Sequence, residues 1–503
     1  MAVLFGAIMV GSSTVALFGV GNPKNTASDT TITGTPADNY KDKDRPIYCE
    51  TSDAKSNKYI TEFKIPTECT QPLGITTDPS GNIWFTESNT GKIAKFDPST
   101  RNFTEYPNPA WQQHEKSMMW GIGYAADGNI WYTDSGHNII WRFSPIYKQY
   151  SSFNYPVTLG QQPFPQMLVT NDNNILVNDF SGRKITSFNL EQVGSTINYT
   201  TISSPGDYNF TSDMAVDSNG KIWYTVWNYQ QGGNLVRYDP QTGNKTQFNL
   251  PRGILAPNGI SIEQDGKIWV TDTASSLFFS FDQQSQQFTK FITPIPVESV
   301  YGNASGLIKT PISRPYWSQI DDSGRIWFNE QVANSIGVFD PAKGTLVEYL
   351  VPSTNPNWSD CGALQDCGVA QVLDFTTRDD KVWFTEWVEN NIGFLDPKIP
   401  LSIDVSATPT EITIYRGENS TISLTITPNE SIVDPITIVT ANTANTNDLI
   451  VSGNHQITMT NQPKTVSINI SADNFALTGT YKVLIGARYH EVTISKYVTV
   501  TIK

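Results

Sequence analysis

The sequence predicts an all-β protein: a seven-bladed β-propeller closed by an N-terminal strand, followed by an immunoglobulin-like β-sandwich. Three observations carry this. A tryptophan-centred motif repeats with a period near fifty residues. A strand resembling the end of a repeat precedes the first copy. From about Leu401 tryptophan disappears, and Thr, Ile and Val alternate to the end.

The motif appears as Gly81-Asn82-Ile83-Trp84-Phe85-Thr86-Glu87 and Gly128-Asn129-Ile130-Trp131-Tyr132-Thr133-Asp134. It returns around Trp223, Trp269, Trp327 and Trp383, with a degenerate seventh copy at Asn174-Ile175-Leu176-Val177-Asn178-Asp179. The tryptophans fall 46 to 58 residues apart, counting the gap across the degenerate copy as two. A period of this size marks stacked units that cannot bury their apolar faces alone. Within the first copy, Leu73–Asp78, Ile83–Thr86, Lys92–Phe96 and Phe103–Tyr106 read as four short strands separated by Gly, Asn, Pro and Ser turns. Four strands joined by hairpins make one propeller blade. The last copy stops at Leu395-Asp396-Pro397 without a fourth strand, while Tyr59-Ile60-Thr61-Glu62-Phe63 matches the Phe103-Thr104-Glu105-Tyr106 pattern. Residues 58–65 are therefore expected to complete the seventh blade, removing an exposed strand edge.

The domain reading follows. Residues 1–20 form a signal peptide or membrane anchor, 21–57 a polar tether, 58–398 the propeller and 399–503 the sandwich. Residues 2–20 carry no charge, at a length on the border between the two leader types. Both readings imply export and an extracellular or cell-surface location, with membrane attachment through residues 2–20 under the second. The tether is rich in Asn, Thr, Asp, Lys and Pro, and cannot build a core. About seven alternating strands in the last hundred residues suit a sandwich module used as a spacer or adhesive unit.

The net charge of −14 and the absence of any basic stripe argue against nucleic acid as a partner. Four cysteines allow three pairings; Cys361–Cys367 and Cys49–Cys69 are the expected ones, on proximity in sequence and at the entry to the ring. Unpaired thiols are the alternative. No histidine stands among them, so zinc is disfavoured.

The repeat Gly-Ile-x3-Asp-x-x-Gly-Asn-Ile-Trp-Phe-Thr-Glu, followed by Gly-Lys-Ile-Ala-Lys-Phe-Asp-Pro, resembles the blades of the streptogramin lyase family, of which virginiamycin B lyases are the best-known members. The likeness covers roughly residues 58–397, with NHL-type and SMP-30/gluconolactonase-like propellers as wider relatives. It implies an elimination that opens a cyclic depsipeptide, with histidine as acid–base and Mg²⁺ near a carboxylate. The family's histidine is expected at the start of an inner strand, just ahead of the Gly-Ile pair. That position holds Leu73, Trp120, Pro165, Ser212, Asn258, Tyr316 and Val372, and none can take a proton as that base.

Three candidate sites remain. His114, in the long segment after the first blade, and His137, in the turn after Asp134, could meet Glu115 and Asp134 to support proton transfer or a metal; two loop histidines with no joint role are the plainer reading. The acids that end the second strands, among them Glu87, Asp134, Glu330 and Glu386, could ring a Mg²⁺ or Ca²⁺ ion. Their plainer role is to accept backbone hydrogen bonds in the following turn, and no cofactor is expected. Trp111, Trp120, Tyr316, Trp317 and Trp358 could line a funnel mouth that stacks a sugar or peptide, or else pack between blades. The sequence thus points to an exported binding module for a carbohydrate, peptide or protein. A lyase or lactonase using a metal with His114 and His137 is the rival, and a structural surface component the third reading.

Overall fold

Each repeat folds as its residue pattern requires. Apolar and β-branched runs form strands, and Gly-containing turns between them adopt positive φ, as at Gly81 and Gly128. In this computed structural model the described residues are 49–50, 52–112, 117–157, 163–191, 193–206, 209–228, 232–297, 300, 312–359, 361, 367–445, 447–453 and 455–503. Residues 2–20, expected above to be a signal peptide or anchor, most of the expected tether, His114 and Glu115 lie outside them. Among the described residues no helix is long and apolar enough to cross a membrane.

Seven four-stranded antiparallel blades are present, each built from consecutive strands except the last. Blade one spans Pro72–Thr77, Ile83–Glu87, Lys92–Asp97 and Asn102–Pro107. Blade seven joins Val372–Arg378, Lys381–Glu386 and Asn391–Leu395 to the N-terminal strand Ile60–Lys64, which pairs Ile60 with Leu395 and Lys64 with Asn391. The displaced fourth strand expected from the sequence is therefore in place. Inner strands pack side by side around the ring, and those of blades seven and one are neighbours.

A circuit of hydrogen bonds shows why the residue two places after each tryptophan is Thr or Asn. Thr86 Oγ1 donates to Met119 O of the next blade at 2.7 Å. Thr133 reaches Gln166 O (2.7 Å), Asn178 reaches Thr211 O (3.3 Å) and Thr225 reaches Asn258 O (2.8 Å). Thr271 reaches Tyr316 O, Asn329 reaches Val372 O (2.8 Å), and Thr385 closes the circle on Leu73 O (2.7 Å). In five blades the same side chain also accepts an amide of its own inner strand, such as Gly74 N at 2.9 Å. In blades four and seven an aspartate stands where blade one has Gly74. Asp213 and Asp374 instead accept Ile260 N and Ile75 N of the following blade, at 3.1 and 3.0 Å. Inner-strand amides and carbonyls that line a propeller axis lack a sheet partner, and these side chains supply one.

The motif aspartate has a comparable task. Asp78 accepts the amides of Ser80 and Asn82 and the indole N–H of Trp84, the last at 2.9 Å. Asp217 and Asp321 do the same for Trp223 and Trp327. One carboxylate thus shapes the turn and satisfies the buried donor of the tryptophan that fills the space between blades.

Both expected disulfides, Cys49–Cys69 and Cys361–Cys367, are formed, and no described cysteine is free. The end of the tether is not loose. Glu50 N donates to Val388 O at 2.9 Å, and Lys55 N to the Glu62 carboxylate at 2.7 Å, so residues 49–50 and 52–57 lie against blade seven.

The C-terminal part is a two-sheet β-sandwich. One sheet holds Ile403–Thr408, Asn419–Pro428, Lys464–Ala472 and Leu449–Ser452; the other holds Gln456–Ile457, Ile436–Asn442, Gly479–Tyr489 and Val492–Ile502. Rather than hanging from a linker, the second sheet continues into the propeller. The fourth strand of blade six, Thr345–Leu350, pairs antiparallel with the last strand, Thr345 opposite Lys496 and Tyr349 opposite Val492. Trp269, Phe278, Phe291 and Phe339 of the ring share one apolar cluster with Val439, Leu484 and Tyr497 of the sandwich. Tyr497 Oη donates to Ile292 O at 2.7 Å.

Candidate functional site

The inner-strand entry positions decide what the propeller axis can hold. Trp120 of blade two and Tyr316 of blade six are not on neighbouring blades, yet their ring centroids are 6.3 Å apart. Rings from blades so placed can meet only across the central channel. Leu73, Trp317 and Val372 join the same buried cluster, and Ser212 hydrogen-bonds Asn258 at the adjoining entries. Side chains fill the channel. The open aromatic mouth expected from Trp120, Tyr316, Trp317 and Trp358 is therefore corrected: all four are at most 2% exposed. Trp120 and Tyr316 meet across the axis, and Trp317 packs beside Tyr316 with ring centroids 4.4 Å apart. Trp358 stacks edge-on against Trp387, with centroids 5.1 Å apart. Trp111 lies elsewhere, half-buried on Gly91 and against His137.

His137 meets Asp134, as the shared turn suggested. Its Nδ1 lies 2.9 Å from both carboxylate oxygens, and its ring stands edge-on to Trp111 at 5.4 Å. Asp134 is fully buried and also accepts Ser117 Oγ, the His137 amide and Trp141 Nε1. Ser117 donates to the acid rather than to the imidazole, so this is no relay for activating a serine nucleophile. An aspartate that fixes one nitrogen of a histidine suits a positioned acid–base or a rigid turn equally. The partner expected for it, His114, lies outside the described residues.

The acids ending the second strands divide by length. The shorter side chains serve their own turns, Asp179 accepting Gly182 N at 2.8 Å and Asp272 accepting Ser275 Oγ at 2.6 Å, and each also takes an amide just ahead of its blade's first strand, Phe164 N or Ala256 N. The glutamates accept no backbone amide among the described residues, and for them the expected backbone bonds are corrected to side-chain contacts. Glu87 accepts Thr90 Oγ1 (2.8 Å) and Glu386 accepts Asn391 Nδ2 (2.8 Å). One methylene longer, each reaches across its blade toward a second glutamate on the fourth strand: Glu87 to Glu105, Glu330 to Glu348, Glu386 to Glu62. The register makes this possible. Between the two acids sits a small residue, Ala94, Gly337 or Gly393, opposite the motif Phe on one side and the fourth-strand Glu on the other. In the aspartate blades the same position holds Trp141, Thr186 or Phe279. That correlation, a small third-strand residue beside a Thr-Glu or Val-Glu fourth strand, is the sequence signal that would have found the pairs.

Two carboxyl groups in one dry site cannot both ionise readily. Burial, then the neighbouring Glu105, pushes Glu87 up to about 8. Burial and Glu330 hold Glu348 well above the usual carboxylate range, and burial and Glu62 do the same for Glu386. These sites also fit a divalent ion poorly. Ca²⁺ or Mg²⁺ needs about six converging, ionised oxygens, whereas Glu87, Asp134, Glu330 and Glu386 lie on four different blades, each turned into its own sheet. Among the described residues no three acids, histidines or cysteines converge.

Blade count, motif and ring closure define a streptogramin lyase-like β-propeller. Residues 53–279 match the model of the virginiamycin B lyase family. The fold is similar to that of virginiamycin B lyase from Staphylococcus aureus, at 20% identity and a TM-score of 0.53, covering 68% of this chain and 99% of that one. It is similar also to a streptogramin B lyase, at 22% identity and a TM-score of 0.52, covering 67% and 97%. A catalytically inactive histidine-to-alanine form of the staphylococcal enzyme, solved with quinupristin, matches at 20% identity and a TM-score of 0.52, covering 68% and 99%. No curated protein matches the chain by sequence. At these identities the likeness establishes the fold, and activity has to be argued from the site.

Proposed function

We propose that this protein is an exported, cell-surface binding module that keeps the lyase scaffold without its chemistry. The observation that carries this is the filled axis. The seven inner-strand entries hold no histidine, and Trp120 and Tyr316 meet where a depsipeptide ring would need room. The two disulfides support an oxidising compartment, since such bonds persist outside the cytosol. A carbohydrate, peptide or protein ligand would engage the outer faces of the loops. The sandwich, sharing a sheet with blade six, would hold the ring at a set orientation.

The His137–Asp134 pair favours a second reading, a lactone hydrolase or lyase with His137 as base. One experiment separates the two. Purified protein is incubated with quinupristin and with simple lactones, and ring opening is followed by mass spectrometry. No opening is expected. Turnover that is lost in His137→Ala would overturn the binding-module reading.

A further inference from the structure

The seam between blade six and the sandwich encloses a cavity of about 110 Å³. Its apolar walls come from Pro294, Pro296 and Leu350, and its polar end from Arg488, Glu348 and Thr493. Arg488 belongs to the sandwich hairpin, where it sits opposite Thr493 and donates Nε to Thr493 Oγ1 at 2.9 Å. That bond orients the guanidinium. Among the described residues its two terminal nitrogens have no hydrogen-bond acceptor and no carboxylate oxygen within 4.0 Å. Glu348 Oε2 is buried beside it without a partner.

We propose that this seam binds a short-chain monocarboxylate, seated on the guanidinium fork of Arg488 with its aliphatic tail between the prolines and Leu350. Arginine stays charged under all conditions a protein meets, and its planar fork matches a carboxylate with two parallel hydrogen bonds. Burial and Glu330 hold the Glu348 carboxyl well above the usual carboxylate range, which lessens the competing charge beside the fork. Glu491 at the rim accepts the Lys58 amide at 3.3 Å, and His490 Nε2 lies 3.1 Å from an Asp434 oxygen, so neither side chain occupies the fork. A cation would meet the guanidinium and be repelled. A dianion would face only one positive group between apolar walls, which desolvation disfavours. The volume leaves room for a few carbons beyond the carboxylate.

Titration of the full chain with sodium butyrate, at constant ionic strength, tests this by calorimetry and thermal melting. Saturable binding with a rise in Tm is expected, since a ligand specific to the folded state stabilises it. Butyramide, the neutral analogue, should do neither. Arg488→Gln should abolish butyrate binding. Val297→Trp, which blocks the cavity from a half-buried rim position and leaves Arg488 in place, should abolish it while melting like the parent without ligand. Absence of saturable binding, equal binding of butyramide, or binding that survives in Val297→Trp would overturn the proposal.

Discussion

At the scale of single residues, two side-chain roles account for most of the motif's invariance. The Thr or Asn bridge ties each inner strand to the next, and its loss would leave a buried amide and a buried carbonyl without partners. Thr86→Val keeps the shape and removes both bonds, so chemical denaturation should show a loss of about 1–3 kcal/mol. A loss indistinguishable from zero would mean that the circuit is incidental. Glu87 bears on pH. Its carboxyl is raised to about 8 in the folded ring, whereas an unfolded glutamate titrates near 4.3. Between those values the folded state holds the extra proton, so this group favours folding at acidic pH and the contribution is lost as pH rises toward 8. Glu87→Gln mimics the protonated form. It should leave the melting temperature at pH 4.5 nearly unchanged and raise it at pH 9. Equal shifts at both pH values would show that Glu87 is not held neutral.

At the scale of elements, the seventh blade depends on a strand from the other end of the chain. Ile60–Lys64 covers the edge of Asn391–Leu395, and Cys49–Cys69 anchors the segment that delivers it. Deleting residues 47–66 should therefore lower the melting temperature of the whole ring and expose an aggregation-prone edge. A truncated ring that melts like the parent would refute the role of this strand in closure. Non-reducing peptide mapping should recover Cys361 linked to Cys367 and Cys49 linked to Cys69. Any cross-link between the two pairs would contradict the fold around blade seven.

At the scale of the whole molecule, the sandwich behaves as an extension of blade six. The fourth strand of blade one, Asn102–Pro107, alternates between exposed and half-buried positions, whereas Thr345–Leu350 is buried at its four central residues. The sandwich strand Val492–Ile502 and the Tyr497 side chain are what cover it. Thermal unfolding monitored in both parts should accordingly give one cooperative transition. Chains ending at Pro397 should aggregate or melt well below the intact protein, because Phe291 and Phe339 lose their cover. Two separate transitions, with the truncated ring as stable as before, would show that the sandwich is an independent spacer after all.

Much of this was legible in the residues alone. The period of the tryptophan motif specifies seven blades and the misplaced Thr61-Glu62-Phe63 pattern the closing strand, while cysteine proximity favours the two disulfides among the pairings left open, because each is a local or repeating signal. The pairing of His137 with Asp134 follows from one short turn. What only the tertiary structure decided depends on residues far apart in sequence meeting once the ring closes. Trp120 and Tyr316 look like ligand-stacking aromatics until blades two and six place them across one narrow axis. Glu87 looks like a turn former until the register sets it diagonally from Glu105 over Ala94. Thr345–Leu350 looks like any outer strand until Val492–Ile502 comes to lie against it. A repeat pattern records what every blade needs, and the contacts that differ from blade to blade are settled by geometry across the ring.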